Sequence, residues 1–417
     1  MDDRISRYII DRKQDIKFVE VEERLVKLKP TKDFILTILG PRRAGKTYLL
    51  YHFIKKNELK DEDYLFVNFE EIEENLDKLM ERHQEIYGRY PLYLFLDEIQ
   101  NLPEWEKALY RMYEKKRFFI FVTGSSSKLL SREIATQLRG RSLKVNLWPF
   151  SFNEILHVHR LKKKFYSSEE TGKIKRILKY SLKSGCFPSI VLKKIEPSRF
   201  ATELIDLVIY RDIIERYGVE NRVALEFFIK SAIASNSNIL SVHKIYNTAR
   251  SQQIRVSKNS LYDFQKFLED VNMVLFLKKY SASMRKTELS LPKSYVVDNA
   301  LYTFTTYRDD VGVLMESFVF QELLKQGYEP NKSLFYFSNN YEIDFVIKDG
   351  FRIKQLLQVT YASGRDEIER RELKALLKAG KELRCKNLLC ITWDYEDEEV
   401  LEGRKIRFVP LWKWLLR

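Results

Sequence analysis

The residues with the clearest chemical potential lie in Gly40–Thr47, which has the spacing G-x-x-x-x-G-K-T of phosphate-binding loops. Its glycines let backbone N–H groups point towards phosphate oxygens. Lys46 brings a positive charge to the β- and γ-phosphates, and the Thr47 hydroxyl is an oxygen ligand suited to Mg²⁺. An apolar helical stretch follows, so a helix start adds its partial positive charge. The segment predicts a site for ATP and Mg²⁺, with candidate nucleotide-binding residues Gly40, Pro41, Arg42, Arg43, Ala44, Gly45, Lys46, Thr47 and Tyr48.

A second feature is a pair of carboxylates, Asp97 and Glu98, at the end of the apolar run that begins at Leu92. In a parallel sheet this strand end and the glycine loop emerge at the same edge, where ligands bind. Asp97 is then placed to bind Mg²⁺ directly or through water, and Glu98 to orient and polarise the attacking water. A Glu in that place favours hydrolysis over simple binding. Taken alone, the pair could equally be a solvent-facing strand end.

Two further side chains are candidates for contact with the γ-phosphate. Ser125 follows the strand-like run Phe118–Thr123 and would hydrogen-bond the phosphate or the attacking water; the alternative is a Gly-Ser turn that caps a helix. The arginines of Leu138–Arg141 are expected near the nucleotide edge, where one of them could reach the γ-phosphate of its own or a neighbouring subunit's nucleotide. An exposed surface pair is the alternative for these arginines.

The elements that must position these residues alternate between short apolar strands and helical segments. This alternation predicts an α/β fold, a parallel sheet with helices on its faces. With the glycine loop after its first strand, the expected domain is of the P-loop NTPase type. The expected strands are Phe34–Leu39, Tyr64–Phe69, Tyr93–Leu96 and Phe118–Thr123.

Beyond about Ser151 the pattern changes to charged helices, and then to three helices followed by two strand-like runs, the order of a winged helix. The remainder mixes helices and strands. The sequence therefore predicts four domains. They are an ATPase domain over 1–150, a helical lid over 151–220, a winged helix over 221–297 and a small α/β domain over 298–417.

The composition limits the class of protein. The 417 residues are 45% hydrophobic, which excludes a mostly disordered chain, and no apolar run approaches the length of about 20 residues that spans a bilayer. The start of the chain lacks a secretory signal, and the three cysteines suit neither a disulfide framework nor a zinc site. We therefore expect a cytoplasmic protein without membrane partners. The net charge of +14 fits a polyanionic partner or simply a well-solvated surface.

In combination, these motifs resemble the archaeal-type P-loop ATPases of the AAA+ superfamily that carry a C-terminal domain with a restriction-endonuclease-like fold. The resemblance covers nearly the whole chain. Its segments are Gly40–Thr47, Leu96–Gln100, Trp105, Thr123–Ser126, Leu138–Arg141, Pro149–Glu154, Gly185–Pro188, Tyr210–Ile213, Val297–Leu301, Leu314–Val319 and Glu342–Phe345.

The resemblance implies ATPase activity with Asp97 and Glu98 as the acidic pair. It also implies that Ser125 lies near the γ-phosphate and that Arg141 is the better candidate for an arginine finger. Gly185–Pro188 is similar to a lid motif near the adenine in related signalling ATPases; a helix-ending turn is an equally good interpretation.

The third helix of the predicted winged helix has polar residues suited to a DNA groove. Apolar residues recur at helical spacing on one side, leaving Lys258, Tyr262 and Lys266 on the other, with Arg250 and Arg255 placed for phosphate contacts. Duplex DNA is therefore a candidate partner, with binding that weakens steeply as salt rises. A rigid connector or a protein-docking surface is the alternative.

In the last domain, Glu316, Asp344 and Gln358 occur in the order in which endonuclease-like folds place their metal-binding oxygens. The lysine of such sites is replaced by Thr360, unless Lys354 or Arg352 reaches the site from elsewhere. We therefore expect a degenerate nuclease site that does not cut.

The combined hypothesis is Mg²⁺-dependent ATP binding and hydrolysis coupled to remodelling of DNA or of a partner protein. Such a motor would be a homo-oligomer, such as a ring, with Arg141 acting on a neighbour. The alternatives are a nucleotide-switched signalling scaffold without DNA action, controlled by bound ATP or ADP, and an ATP-gated nuclease.

Overall fold

The computed structural model describes residues 3–124, 140–161 and 167–416. The chain divides into two compact units: unit 1 comprises Met1–Pro149 with Asp270–Asn272, and unit 2 comprises Phe150–Glu269 with Met273–Arg417. Within the described ranges no helix is both long and apolar enough to cross a bilayer. The predicted lid, winged helix and C-terminal domain fall within unit 2, apart from Asp270–Asn272, and their boundaries stay predictions.

Unit 1 contains a five-stranded sheet in which every pairing is parallel, in the order β2-β3-β4-β1-β5. The parallel α/β sheet predicted from the alternating pattern is confirmed. Its elements are α1 (Asp3–Phe18), β1 (Ile35–Leu39), α2 (Lys46–Lys56), β2 (Tyr64–Asn68), α3 (Leu76–Tyr87), β3 (Tyr93–Asp97), α4 (Trp105–Glu114), β4 (Phe119–Gly124) and β5 (Ser142–Asn146), with short 3₁₀ turns at Asp61–Asp63 and Ile99–Asn101.

Strands β1 to β4 of unit 1 are apolar because both faces of the sheet are covered. On one face, aromatic rings from β3 and β4 stack, with the Phe95 and Phe121 centroids 4.8 Å apart, and Phe53 of α2 packs on them. The other face buries aliphatic residues such as Leu94 and Leu96 in one core with residues of α3 and α4. Side chains alternate between faces at a period of two, so each of these strands contributes to both cores.

Strand β5 was not predicted from the sequence because its residues do not form an apolar run. Its side chains are exposed or partly exposed, including Lys144, so the strand is defined by backbone pairing with β1 and not by burial. An edge strand can carry such a polar sequence because one of its sides is open.

The first half of unit 2 is helical, as the sequence predicted. Ser151 caps the first helix together with Glu154, whose side chain accepts the Ser151 N–H bond at 2.8 Å. The elements are α5 (Phe152–Val158), α6 (Ser168–Ser184), α7 (Pro188–Val191), α8 (Pro197–Leu207), a π-helical segment (Val208–Ile214), α9 (Glu215–Tyr217), α10 (Arg222–Ala234), α11 (Val242–Ser251) and α12 (Lys258–Asp270).

After these helices come a two-stranded antiparallel ribbon and a mixed six-stranded sheet in the order β12-β13-β11-β10-β9-β8. The ribbon follows α10–α12, which is the element order predicted for a winged helix; the winged-helix identity stays a prediction. Strands β12 and β13, which the sequence analysis did not identify, extend the sheet. The elements are β6 (Val274–Leu277), α13 (Met284–Glu288), β7 (Lys293–Val296), α14 (Asn299–Thr306), α15 (Val311–Lys325), β8 (Leu334–Ser338), β9 (Glu342–Asp349), β10 (Arg352–Val359), α16 (Arg370–Glu382), β11 (Leu388–Thr392), β12 (Asp397–Leu401), β13 (Arg404–Pro410) and α17 (Leu411–Leu415).

Candidate functional site

The segment between β1 and α2 is a tight loop whose glycines are required by geometry. Gly40 has φ 156°, and a Cβ at this position would lie 2.0 Å from the carbonyl oxygen of Leu147. Gly45 has φ 92° immediately before α2 begins at Lys46. Only glycine adopts both conformations without strain or collision, so the loop can close against the neighbouring chain segment.

The ammonium of Lys46 lies inside the curve of this loop. Its Nζ donates hydrogen bonds of 3.1 Å to the carbonyl oxygens of Gly40 and Pro41, and the side chain is buried. The loop and the first residue of α2 thus place one positive charge beside the helix N-terminus, where an anionic phosphate is favoured.

A chain of hydrogen bonds joins the loop to the ends of β3 and β4. The Thr47 hydroxyl donates to Asp97 at 2.7 Å, and the Thr123 hydroxyl donates to the other carboxylate oxygen of Asp97. The same Thr123 oxygen accepts the Glu98 N–H at 3.1 Å. Because β4 lies between β1 and β3, Thr123 is at the same sheet edge as both the loop and the acidic pair.

Asp97 is the electrostatic centre of this network. It is almost completely buried, and its burial together with the charge of Glu98 raises its pKa to about 6, against the opposing effects of Thr123, Thr47 and Lys46. A hydroxyl and a buried carboxylate that face each other at this distance form an oxygen donor set that fits Mg²⁺. A divalent cation there would stabilise the ionised carboxylate.

Glu98 follows directly in a conformation that fixes where its side chain emerges. Its φ of 49° is in the left-handed region, which costs a non-glycine residue about 1–2 kcal/mol. The hydrogen bond from its N–H to Thr123 helps to hold this conformation, and Gln100 Nε2 donates to its carboxylate at 2.6 Å. A constrained carboxylate beside the Mg²⁺-type donor set suits the predicted role in orienting water.

Arg24, outside the predicted site, braces the loop from the other side. Its guanidinium donates to the carbonyl oxygen of Ala44 at 2.9 Å and to that of Trp148 at 2.8 Å, and the residue is 7% exposed. The sequence analysis assigned no chemistry to the first thirty residues. The structure therefore adds Arg24 as a positioning residue of the loop.

Three other predicted nucleotide-binding residues are Arg42, Arg43 and Tyr48. The guanidinium of Arg42 lies 3.7 Å from the Glu70 carboxylate, Arg43 has φ 62°, and Tyr48 is 46% exposed at the start of α2. Ser125, predicted to contact the γ-phosphate, lies outside the described residues.

Arg141 lies where the parallel strands begin, whereas the loop lies where β1 ends. This corrects the expectation that Arg141 lies near the nucleotide. Its carbonyl oxygen accepts the N–H of Ile35, the first residue of β1, whereas the loop begins after Leu39 at the other end of that strand. Five residues of strand span about 16 Å. Arg141 pairs with Glu114 at 2.5 Å. Its role as an arginine finger stays a prediction.

All five candidate DNA-binding residues have exposed side chains. They are Arg250, Arg255, Lys258, Tyr262 and Lys266. The opposite side of α12 buries Leu261, Phe264 and Leu268, so the predicted division of the helix into two faces is observed. Lys258 Nζ lies 5.2 Å from the centroid of the Tyr246 ring on α11.

Two residues of the predicted degenerate nuclease site, Glu316 and Asp344, lie together with a lysine that the sequence analysis did not find, and the third, Gln358, is buried on β10. Lys293 Nζ, on β7, lies 2.9 Å from Glu316 and 3.4 Å from Asp344. The expectation of a degenerate site that does not cut stays a prediction. The cation beside these carboxylates is Lys293 and not Lys354 or Arg352, the two residues that the sequence analysis considered. The ribbon provides it, because β7 packs beside α15.

Lys293 stays charged although it is buried. Burial by itself lowers its pKa, but the carboxylates of Glu316, Asp344 and Glu342 outweigh that effect and raise it. Burial and the neighbouring charge of Glu316 raise the pKa of Asp344, whose carboxylate also accepts the Val359 N–H at 2.9 Å.

Comparison with known proteins shows relatives across the whole length of the chain. Residues 32–156 match a family described as an AAA domain, while residues 175–312 and 311–414 match two domains of unknown function, DUF8612 and DUF4143. The uncharacterized protein MJ1544 of Methanocaldococcus jannaschii is 34% identical over 98% of this chain and 94% of its own length. The chain belongs to the MJ1544 family.

Two further similarities are more distant. An uncharacterized protein of Haemophilus influenzae is 27% identical over 94% of this chain and 96% of its own length. The Walker-type ATPase paby2304 of Pyrococcus abyssi aligns with 73% of this chain and 95% of its own at 16% identity, with a TM-score of 0.42. The match of residues 32–156 to the AAA domain family gives this MJ1544 family member an AAA-type P-loop domain, as predicted, and the endonuclease-like identity of its C-terminal part stays a prediction.

Two side chains of this MJ1544 family member, Arg24 and Lys293, could not be found by motif, because they are single cations in segments without a recognisable pattern. Thr123 lies in the segment Thr123–Ser126 that carries the resemblance, but the sequence analysis gave it no role. A further signal for Thr123 was its place near the end of a strand in a parallel sheet, where ligand-contacting polar residues collect.

Proposed function

We propose that this protein is a Mg²⁺-dependent ATPase whose hydrolysis is coupled to binding of duplex DNA. The observation that carries the ATPase part is the hydrogen-bond chain from Thr47 through Asp97 and Thr123 to Glu98. It brings the helix-start hydroxyl, the buried carboxylate and the second acid to one edge of the sheet.

Each of these residues has a separate task in the proposed reaction. Lys46 and the loop N–H groups bind the β- and γ-phosphates. Thr47 and Asp97 would hold Mg²⁺, which would neutralise charge on the phosphate oxygens. Glu98 accepts a hydrogen bond from the attacking water and orients it in line with the γ-phosphate. Thr123 fixes the relative positions of the two acids, because its hydroxyl bonds to the Asp97 carboxylate and to the Glu98 N–H.

The DNA part of the proposal is supported by the polarity of α12. Its exposed side presents Lys258, Tyr262 and Lys266, while its other side is buried in unit 2. Exposed cations next to a tyrosine suit phosphate contact and stacking or groove contact by the ring. The acidic Asp263 is exposed on the same helix, so the contact would be confined to the strip that the cations define.

The test of the ATPase part is steady-state phosphate release by the full chain and by two variants. Lys46→Ala should lose nucleotide binding, because the ammonium within the loop curve is removed. Glu98→Gln should bind ATP and fail to hydrolyse it. Near-normal turnover of Glu98→Gln would show that Glu98 does not orient the water.

The test of the DNA part compares two double variants that remove the same charge. Lys258→Gln/Lys266→Gln should weaken duplex binding and lower the salt dependence by about 0.9 in log–log slope for each phosphate that the replaced lysines neutralise. Lys374→Gln/Lys378→Gln, on the exposed side of α16, should leave both unchanged. ATP turnover that is insensitive to duplex DNA, with no salt-dependent binding, would favour the nucleotide-switched scaffold instead.

A further inference from the structure

A cavity in the helical half of unit 2 has walls that are mostly apolar. Its volume is about 460 Å³, within the range of about 300–1,000 Å³ that small-molecule sites occupy. Helices α5, α6 and α7 and the segment that leads into α8 form its walls. The apolar lining residues are Ile155, Ile177, Ile190, Val191, Ile195 and Pro197. All lining residues lie between positions 155 and 197, so the cavity belongs to unit 2 alone.

The polar lining of this cavity carries more positive than negative charge. Arg176 and Lys193 are cations, and Glu196 is the one carboxylate among the described lining residues, which also include His159 and Tyr180. The side chains of Arg176 and Lys193 make no hydrogen bond or ion pair with another described residue. A cleft with apolar walls and an excess of one charge concentrates ligands of the opposite sign, so this cavity favours an anion.

The cations and the isoleucines differ in their access to solvent. Arg176 and Lys193 are exposed, whereas Ile155 and Ile190 are almost completely buried. A ligand that contacts both groups needs a charged end that stays near water and an apolar part that water does not reach. The lining therefore suits an amphipathic anion.

We propose that this cavity binds a monoanionic ligand of the medium-chain carboxylate class. Its alkyl chain occupies the part lined by isoleucines, and its carboxylate pairs with Arg176 and Lys193. A guanidinium binds a carboxylate through two parallel hydrogen bonds, and such charge-assisted bonds are stronger than neutral ones. Each CH₂ group that leaves water for the apolar walls strengthens binding, so the affinity depends on chain length.

The test of the ligand class is isothermal titration of the full chain with decanoate below its micelle-forming concentration. We expect one decanoate per chain. Hexanoate should bind at least about tenfold more weakly because it lacks four CH₂ groups, and decanol should do so because it lacks the charge. The proposal is overturned if decanoate does not bind, or if hexanoate or decanol binds as tightly as decanoate.

Two variants test the cations. Arg176→Met and Lys193→Met keep an apolar stem and remove one charge, and each should raise the dissociation constant for decanoate at least about tenfold. Melting temperatures should change little, because both side chains are exposed. Lys179→Met is the matched control, since Lys179 is exposed on the same helix as Arg176 and does not line the cavity. An equal loss of affinity in Lys179→Met would mean that decanoate is attracted to a basic surface in general, which would overturn the proposal.

A last pair of measurements locates the ligand. Partial burial and the charge of Lys193 lower the pKa of His159, and a bound carboxylate should raise it, as followed by NMR of labelled histidine. Gly185, part of the segment similar to an adenine lid motif, also lines the cavity, so the titration is repeated with saturating Mg²⁺ and ADP. Decanoate affinity should stay the same. Displacement of decanoate by ADP, or an unchanged His159 pKa in the decanoate complex, would place the ligand or the cavity in another role and overturn the proposal.

Discussion

Replacing Arg24 by Met should weaken nucleotide binding although Arg24 lies outside both the glycine loop and the acidic pair. The substitution keeps an apolar stem and removes two hydrogen bonds from a charged donor, to the carbonyl oxygens of Ala44 and Trp148. A hydrogen bond to a charged group contributes about 1.5–3 kcal/mol. Of these two bonds, the one to Ala44 restrains the phosphate-binding loop, so the loss assigned to nucleotide binding is that of one bond.

A loss of this size predicts that the dissociation constant for ADP rises about ten- to a hundredfold. The measurement is isothermal titration of the full chain with Mg²⁺ and ADP. Lys56→Met is the matched control, because its ammonium makes an ion pair with Glu23 in which both side chains are more than half exposed. Such surface pairs contribute about 0–1 kcal/mol and do not restrain the loop.

The result that would refute the reasoning is an unchanged ADP affinity in Arg24→Met. If Arg24→Met and Lys56→Met bound ADP equally well, the loop would hold its conformation without the hydrogen bonds of Arg24. A lower melting temperature with normal ADP affinity would have the same meaning, since the bonds of Arg24 would then stabilise the fold but not the loop.

Three further predictions concern catalysis, pH and packing. Thr123→Val should lower the turnover number about tenfold or more with little change in ADP affinity, because the valine cannot bond to the acidic pair; equal turnover in a steady-state assay would contradict this. Burial raises the pKa of Asp298 to about 6 from 3.8, so the stability that its protonated form provides is complete below pH 3.8 and is lost as the pH rises through 6. This amounts to about 3 kcal/mol, and urea unfolding of Asp298→Asn across that range should show a correspondingly weaker pH dependence. Gly185→Ala should destabilise unit 2 by more than about 3 kcal/mol, because the new Cβ would lie 1.8 Å from an Asp298 oxygen. Gly88→Ala, also at positive φ but with open space around it, isolates the cost of that collision, and similar melting temperatures for the two variants would show that Asp298 moves aside freely.

Much of unit 1 was predictable because its signals are local. The phosphate-binding loop is a contiguous motif, and the apolar strands β1 to β4 are recognisable because both faces of the sheet are buried. The acidic pair Asp97 and Glu98 could be assigned to the same edge as the loop because parallel strands end together.

The failures share a physical cause, which is that pairing and burial across long sequence distances leave no local pattern. Strand β5 is polar and is formed through its backbone pairing with β1, so the sequence did not predict it. Arg141, just before β5, was expected near the nucleotide because it follows the other motifs in sequence. Because β5 pairs in parallel with β1, Arg141 lies instead at the start of these strands, away from the loop.

The sequence alone was enough to predict a nucleotide site, because a glycine loop before a helix and an acid-tipped strand act through backbone geometry that short segments specify. The folded structure was needed to show that Arg24 bonds to this loop and that Lys293 lies among the carboxylates of Glu316 and Asp344. The reason is that the contacts and the pKa of a buried charged group depend on the groups around it. Folding brings its counter-ions from distant segments, and their electrostatic effect appears only once water is excluded.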